Sequence, residues 1–543
     1  MMNDLKQMAR RGLNSLFFLL PSPHEVGSGA GGEGRRTIRE AANFSLNAAG
    51  FPPHPNPLPR WRGGEVVREA ATRPAGQGCN NALFCALLCC LLFALSSCTL
   101  APKHEPPEMP APEKLPVAAA SGGAEQAAVD EIGWAEFYLD PTLRRVIAAT
   151  LDNNRDLRAA ALNVETFQAQ YRIQRAQLFP EIDAAGGWSR QRSFSAGQYG
   201  TGEMYNVSVG LTAWELDLFG RVRSLKEAAL ERYFAQEENY RAARIALIAE
   251  TARAWLSLLA DRELLAISQD TLAGEQESFG LVQQRFDGGI ANNLELAQSR
   301  TLLEQVRGSL AQYELQGEQD KNALNLLAGA SLADLDAGGQ RLEDHDLTLR
   351  LPADLPSTVL LRRPDIQAAE HELKAANADI GAARAAFFPA VRLTANAGYM
   401  APDFDDLFDS KTSVWAFMPS VSLPIFTAGR LKAQLDVAEL RKEAAVVNYE
   451  KAIQTAFREV ADALAAQKWL AERVAAQKAY VEACRQYYDL AVARYQEGID
   501  SFLTQLDAQR TLFAARQAYV TLRLAQQSNQ VNLFKALGGG WKE

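Results

Sequence analysis

Residues Arg221 to Arg285 read RVRSLKEAALERYFAQEENYRAARIALIAETARAWLSLLADRELLAISQDTLAGEQESFGLVQQR. No proline occurs there and no glycine precedes Gly274, so nothing sharply interrupts a helix. Apolar residues recur at heptad spacing from Ile248 to Trp255, then at Leu258, Leu265, Leu272 and Phe279. A helix from Val222 to Arg285 would be about 96 Å long at ~1.5 Å per residue. That exceeds the usual globular helix and reads as coiled coil. Charged residues throughout, among them Arg223, Glu231, Arg244 and Glu250, exclude a bilayer-spanning helix.

The stretch occurs twice. A shift of 209 residues lays Asn154-Arg155-Asp156-Leu157 on Arg363-Pro364-Asp365-Ile366 and Phe179-Pro180 on Phe388-Pro389. The same shift lays Gly220-Arg221 on Gly429-Arg430, Arg285-Phe286 on Arg494-Tyr495, and Gly289-Ile290 on Gly498-Ile499. Leu265, Leu272 and Phe279 fall on Val474, Val481 and Tyr488, and Leu294 on Leu503. One offset without a gap marks an internal duplication into two similar halves.

The chain has 543 residues, is 48% hydrophobic and carries a net charge of −9. That acidity argues against a nucleic-acid partner. Residues 1 to about 75 are foreign to the rest: Phe51 to Gly64 (FPPHPNPLPRWRGG) is Pro/Gly/Arg-rich and has no core-forming pattern. We read this segment as upstream DNA translated from a misplaced start, with Val66 or Val67 as the alternative initiator. Abundant peptides from residues 1–60 of the expressed precursor would refute that reading.

Arg68 and Arg73 then precede the apolar run Ala82 to Leu95 (ALFCALLCCLLFAL) and Leu95-Ser96-Ser97-Cys98. A run this short suits a signal peptide better than a transmembrane helix. The Leu-Ser-Ser-Cys tetrapeptide resembles a bacterial lipobox, which makes residues 1–97 extension plus signal peptide and Cys98 the lipidated first residue. Thr99 in place of aspartate implies outer-membrane delivery. The bland alternative is a plain cysteine after a signal helix. Past Cys98 only Cys484 remains, so the mature chain can form no internal disulfide. Removing ten basic and six acidic leader residues leaves 46 basic against 59 acidic, a charge of −13.

Residues 98–140 read as lipid anchor and Pro/Ala/Gly linker. The first repeat spans 141–330, beginning with an amphipathic helix from Pro141 to Leu178; a Gly/Asp-rich connector covers 331–355, and the second repeat 356–543. Each repeat offers a hairpin, about 182–192 with 205–217 and about 390–400 with 413–426. Tyr205, Val207, Val209 and Leu211 alternate with polar partners, as do Val391, Leu393, Ala395, Ala397 and Tyr399. Pro419 marks an edge or bulge. Strands of about ten residues with one apolar and one polar face fit a transmembrane barrel; a small soluble sheet with one wet face is the alternative. Four strands close no barrel, and open edges are not tolerated in lipid, so spanning strands demand an oligomer.

After its hairpin each half continues as long helix, glycine turn and returning helix. The turns are Arg285 to Ile290 and Arg494 to Ile499, with Asn292-Asn293 and Asp500-Ser501 as candidate caps. The returning helices run to about Leu327 and Leu537, and Gly538-Gly539-Gly540-Trp541 closes the chain. The five histidines show no ligand spacing, and His371-Glu372 lacks the second histidine of a helical zinc motif. No Gly-x-Ser-x-Gly elbow or phosphate-binding glycine loop occurs. No enzyme, no metal site and no cofactor beyond lipid on Cys98 are expected.

These features resemble the TolC family of outer-membrane efflux proteins, in particular its lipoprotein branch. The carrying residues are Cys98 to Pro102 (CTLAP), Trp134 to Phe137 (WAEF), Trp214 to Arg221 (WELDLFGR), Leu361 to Ile366 (LRRPDI), Pro424-Ile425-Phe426 with Gly429-Arg430, the two tips, Leu506 to Arg510 (LDAQR) and the Gly-Gly-Gly-Trp ending. The resemblance implies a mainly α fold with a β-barrel part. Three chains would share a 12-stranded barrel in the outer membrane and a tunnel of antiparallel coiled-coil helices in the periplasm. It implies a passive exit duct for small molecules such as drugs, with a periplasmic adaptor and an inner-membrane pump of the RND type as partners. The turns at Gly289, Ile290, Gly498 and Ile499 would be adaptor-contact tips. Leu503 and Asp507 would form an apolar and an acidic ring narrowing the pore, and Tyr495, Arg494 and Arg285 would hold it shut. On the residues alone, Asp507 reads as a solvated helix residue near a cap, and Leu503 equally well as a seam residue.

A duct for protein secretion shares this architecture; the lipobox and Arg-Arg-Pro-Asp-Ile favour small-molecule efflux. A non-conducting periplasmic scaffold is the rival from another class, and it would need no lipid-facing strands.

Overall fold

The computed structural model describes residues 99–105, 107–116, 132–195, 198–332, 341–344, 347, 349, 351 and 355–539, all within a compact unit, Gln77–Glu543. The leader, the lipobox cysteine Cys98 and Trp541 lie outside the described residues.

Helix α1 (Trp134–Phe137) is short, and α2 (Pro141–Asn153) and α3 (Arg155–Ala176) follow it. A single helix over 141–178 was expected; the structure breaks it at Asn154. There ψ is 131°, and the side-chain oxygen accepts from the Leu157 amide at 2.9 Å. The Asn154 amide still closes α2 on the Thr150 carbonyl, so one residue ends one helix and caps the next.

Strands β1 (Ile182–Ser195) and β2 (Gln198–Leu216) pair from Ile182–Leu211 to Ser195–Gln198, longer than the expected hairpin. Helices α4 (Arg221–Asp287) and α5 (Asn293–Ala328) complete the first half. The second half repeats the order as α6 (Pro364–Ala385), β3 (Ala390–Ala401), β4 (Ser413–Ser422), α7 (Arg430–Gln496) and α8 (Phe502–Ala536). Both α4 and α7 have 67 residues. Each is entered through a glycine in the left-handed region, Gly220 at φ 77° and Gly429 at φ 84°.

The two hairpins join into one antiparallel sheet ordered β1-β2-β3-β4. β4 stops at Ser422 rather than near 426 because Pro424 has no N–H to donate. Pro419 sits opposite Leu393 within β4, tolerated because β4 is an edge. The register gives the sheet two unlike faces. On one, Trp188 lies opposite Tyr205, Val207 opposite Tyr399, and Ala395 and Ala397 opposite Phe417 and Trp415. On the other, Gly187 faces Asn206, Ser208 faces Gly398, and Gly210 faces Asn396. Trp188, Trp415 and Phe417 are 59%, 79% and 60% exposed. No described helix is long and apolar enough to cross a membrane.

The helices follow the strands: α3 packs on α4, α4 on α6, and α6 on α7. Beyond them α5 and α8 fold back, so that α4 lies against both α5 and α8, and α8 against α7. The main core surrounds Trp255, whose indole nitrogen donates to Asp140 at 3.1 Å, and Phe534, on which Phe137 stacks at 4.0 Å. The expected seam is displaced. Toward the tip the buried heptad is Ser268, Glu275 and Val282, while Leu265, Leu272 and Phe279 are half-buried at the edge of that face. A helix gripped by α5 on one side and α8 on another has two faces to bury, and the deeper one is less apolar.

Candidate functional site

Two helix turns and the first turns of α8 form the candidate site. α4 ends with Gly289 at φ 72°, and α7 ends with Gly498 also at φ 72°. In each the glycine amide returns to a carbonyl three residues back and the next amide, Ile290 or Ile499, to one five residues back. This is the left-handed glycine helix stop that satisfies two orphan carbonyls. The sequence predicts both. Ile290 and Ile499, which follow the glycines, are 74% and 61% exposed. Asn292 caps α5, accepting from the Glu295 amide at 2.9 Å. Ser501 occupies the corresponding place before α8 but makes no side-chain cap bond; the expected cap pair 500–501 is half spent elsewhere. Asp500 takes two bonds from Arg494, at 2.6 and 3.1 Å, and these hold its carboxyl below the ordinary range.

The first turns of α8 separate two faces. Phe502, Leu506 and Phe513 are buried with Val282, Leu302 and Val306 from α4 and α5. Leu503 and Asp507, one helical turn apart, lie on the exposed side, with Leu503 at 53%. Within one chain the seam belongs to Phe502 and Leu506, and Leu503 is outside it.

Three of the expected residues hold α4 to α7 and the turn. Arg285 at the end of α4 donates to the Tyr495 hydroxyl of α7, and its guanidinium carbon lies 5.5 Å from the centre of that ring. Arg494 ties α7 to its own turn through Asp500 rather than to another helix. A cross-connection the sequence did not reveal is Arg510 on α8, which donates to Thr301 of α5 at 2.6 Å. The two positions are 209 residues apart, so equivalent points of the two halves face each other, a signal present in the duplication offset. One buried and one half-buried acid were also missed. Glu275 is 1% exposed; burial pushes its carboxyl up to about 7, and Arg510 only partly opposes this. Asp320 on α5 is raised to about 7 by burial and by its hydrogen bond and charge contact with Asp261 on α4.

Four long helices ending in paired turns, beneath a two-faced sheet with two open edges, define a segment of a channel wall. The chain belongs to the outer membrane efflux protein family, whose pattern it matches over residues 146–330 and again over 355–539, the same 209-residue displacement. It is similar to the toluene efflux pump outer membrane protein TtgC of Pseudomonas putida, with 48% identity over 459 residues, 83% of this chain and 94% of that protein. It is 44% identical to the outer membrane protein OprJ of Pseudomonas aeruginosa, over 83% of this chain and 95% of OprJ. Among solved structures, the open-state MtrE outer membrane channel of Neisseria gonorrhoeae matches with a TM-score of 0.75 at 40% identity, covering 82% of this chain and 99% of MtrE. The protein is an outer-membrane channel component of an efflux pump.

Proposed function

We propose that three copies of this chain form a passive exit duct, in which twelve strands close a barrel and twelve helices close the tunnel beneath it. The observation that carries this is the matching order of the two layers. Strands run β1-β2-β3-β4, helices run α3-α4-α6-α7, and among the described residues the first and last members of each layer have a layer neighbour on one side only. Unpaired strand edges are not stable in hydrocarbon, and a barrel of four strands is too small. The outer helices carry exposed apolar residues, Leu162 and Ile173 on α3 and Val437, Leu440 and Val447 on α7, which suits burial against a second copy.

The apolar face with Trp188 and Trp415 turns to lipid, and the face with Asn206, Ser208 and Asn396 lines the lumen. Small apolar solutes and drugs are the cargo, a reading supported by the toluene pump relative. Energy comes from an inner-membrane pump of the RND type through a periplasmic adaptor that seats on the tips at Gly289, Ile290, Gly498 and Ile499. Arg285, Tyr495 and Arg494 hold the tips together, and Leu503 and Asp507 ring the narrowed pore. Cys98 bears the lipid, which needs no cofactor besides; Cys98→Ala removes labelling by radioactive palmitate, and label that persists refutes the anchor.

The test is the mass and conductance of detergent-extracted, processed protein. A trimer that conducts in planar bilayers is expected; a stable monomer, or electrical silence under all conditions, overturns the reading. Gene deletion with profiling of drug, dye and solvent sensitivity identifies the cargo.

A further inference from the structure

Where β2 and β3 pass into helix, charged side chains gather on the polar face of the sheet. Glu215 lies opposite Arg392 in the β2–β3 register, and Arg392 opposite Ser420. Arg392 alternates with the apolar Val391 and Leu393, which puts it on the Asn396 side. A cavity of 340 Å³ opens there, lined among others by Glu215, Arg221, Arg392 and Arg430.

The charges do not balance. Glu215 accepts two bonds from Arg221, at 2.7 and 2.8 Å, and is thereby matched. Asp217 is paired with Arg223 at 3.1 Å. Arg392 reaches the already matched Glu215 only at 4.0 Å, with its side chain 49% exposed. Arg430 at the start of α7 donates to the neutral Gln434 at 3.3 Å. Two positive charges per chain are thus left over, in a protein whose sequence from Cys98 onward is strongly acidic.

We propose that Arg392 and Arg430 form an anion-attracting collar inside the pore, where the barrel meets the helical tunnel, and set the ion preference there. The collar rests on the trimeric-channel reading above: three copies bring six uncompensated guanidiniums to one level. A cleft lined by one sign of charge between low-dielectric walls concentrates the opposite ion. Anionic solutes, carboxylates and phosphates, are therefore drawn to this level, whereas the Asp507 carboxylates repel them at the tip.

The test uses full-length protein in planar bilayers under a KCl gradient, in the Asp507→Ala background so that the tip does not dominate. The Arg392→Gln/Arg430→Gln double variant is expected to move the reversal potential toward the potassium equilibrium value. Block by inorganic tripolyphosphate added on the barrel side should weaken by at least about tenfold, the lower end of focusing effects. Arg392→Lys, which keeps the charge, should retain the parent's reversal potential. Should the double variant fail to assemble, Arg430→Gln alone decides the matter, since its side chain is exposed and bonded only to Gln434 among the described residues; it is expected to give part of the shift. Currents with unchanged reversal potential and unchanged block overturn the collar. Silence of the parent channel itself would instead overturn the duct, and the collar with it.

Discussion

Arg363 donates from Nη1 to the carbonyl oxygen of Ala536 at 2.7 Å, tying the start of α6 to the last turn of α8. In the first half Asn154 donates to the carbonyl of Leu327 at 2.9 Å. Asn154 and Arg363 are 209 residues apart, and so are Leu327 and Ala536. Each half thus closes with the same clasp, from the cap of one helix to the open end of the returning one, where carbonyls lack helical partners. The arginine version does more. Arg363 also holds Asp365 at 2.7 Å and Glu459 at 2.9 Å with its side chain only 9% exposed.

Arg363→Ala is therefore expected to lower stability by about 2–3 kcal/mol; this is below the figure for a fully buried pair because Asp365 and Glu459 are both over 40% exposed. Arg363→Lys should recover only part of it, because one ammonium nitrogen cannot stand in for the three guanidinium nitrogens that bond Asp365, Glu459 and the Ala536 carbonyl together. Asn154→Ala loses a cap and the Leu327 bond, about 1–2 kcal/mol. Thermal denaturation in detergent checks all three, and an unchanged midpoint for Arg363→Ala would show that the clasp is ornamental.

Glu275 makes stability depend on pH. Burial lifts its carboxyl from 4.5 to about 7, so the folded chain favours the protonated acid and the unfolded chain the carboxylate. Stability then falls as pH rises from about 4.5 to about 7 and stays reduced above, by about 3 kcal/mol at full extent. Glu275→Gln abolishes this contribution: the variant matches the parent near pH 4 and melts higher at pH 8. A variant that melts lower at pH 8 would mean that the Arg510 charge needs the ionised form.

The long helices, their duplication and the strand alternation were legible because they depend on period alone, and α4 and α7 repeat theirs over many turns. The break at Asn154 was hidden because the apolar pattern of α2 continues in α3 without a change of period. The displaced seam at Ser268, Glu275 and Val282 was hidden for another reason. Periodicity finds the most apolar face of a helix, whereas α4 is buried from two sides by partners more than ten residues away in sequence. Arg510 with Thr301 is likewise a meeting of distant segments, and no local pattern marks it. The tips were legible down to the glycines because a left-handed helix stop is a local demand on two or three residues. Their bonding was not: Asp500 is drawn off to Arg494, and Ser501 is left without a cap bond.

Tyr495→Phe isolates the latch between α4 and α7. It removes the hydroxyl that Arg285 bonds and keeps the ring beneath the guanidinium. An exposed bond of this kind contributes about 0.5–1.5 kcal/mol. If the closed tip depends on it, the open population rises by about two- to tenfold. Single-channel open probability reads this directly. Arg285→Ala, which also loses the ring contact, should have the larger effect. Equal open probability in parent and both variants would remove the pair from the gate.

Leu503 and Asp507 stand one turn apart on the side of α8 that the chain's own core leaves free, while Phe502 and Leu506 are spent on packing. In a trimer that free side is where three α8 helices can approach the axis. Three carboxylates there favour cations and exclude anions, and their mutual repulsion keeps the ring from packing tightly without counter-ions. Asp507→Ala shortens the side chain and removes the field, so single-channel conductance should rise and cation preference should fall. Leu503→Ala should raise conductance without changing ion preference, because it widens the ring and leaves the charge in place. The two variants thus separate width from field at adjacent levels. Unchanged conductance in both would place the constriction elsewhere on the tip and leave Asp507 a solvated residue near the start of its helix.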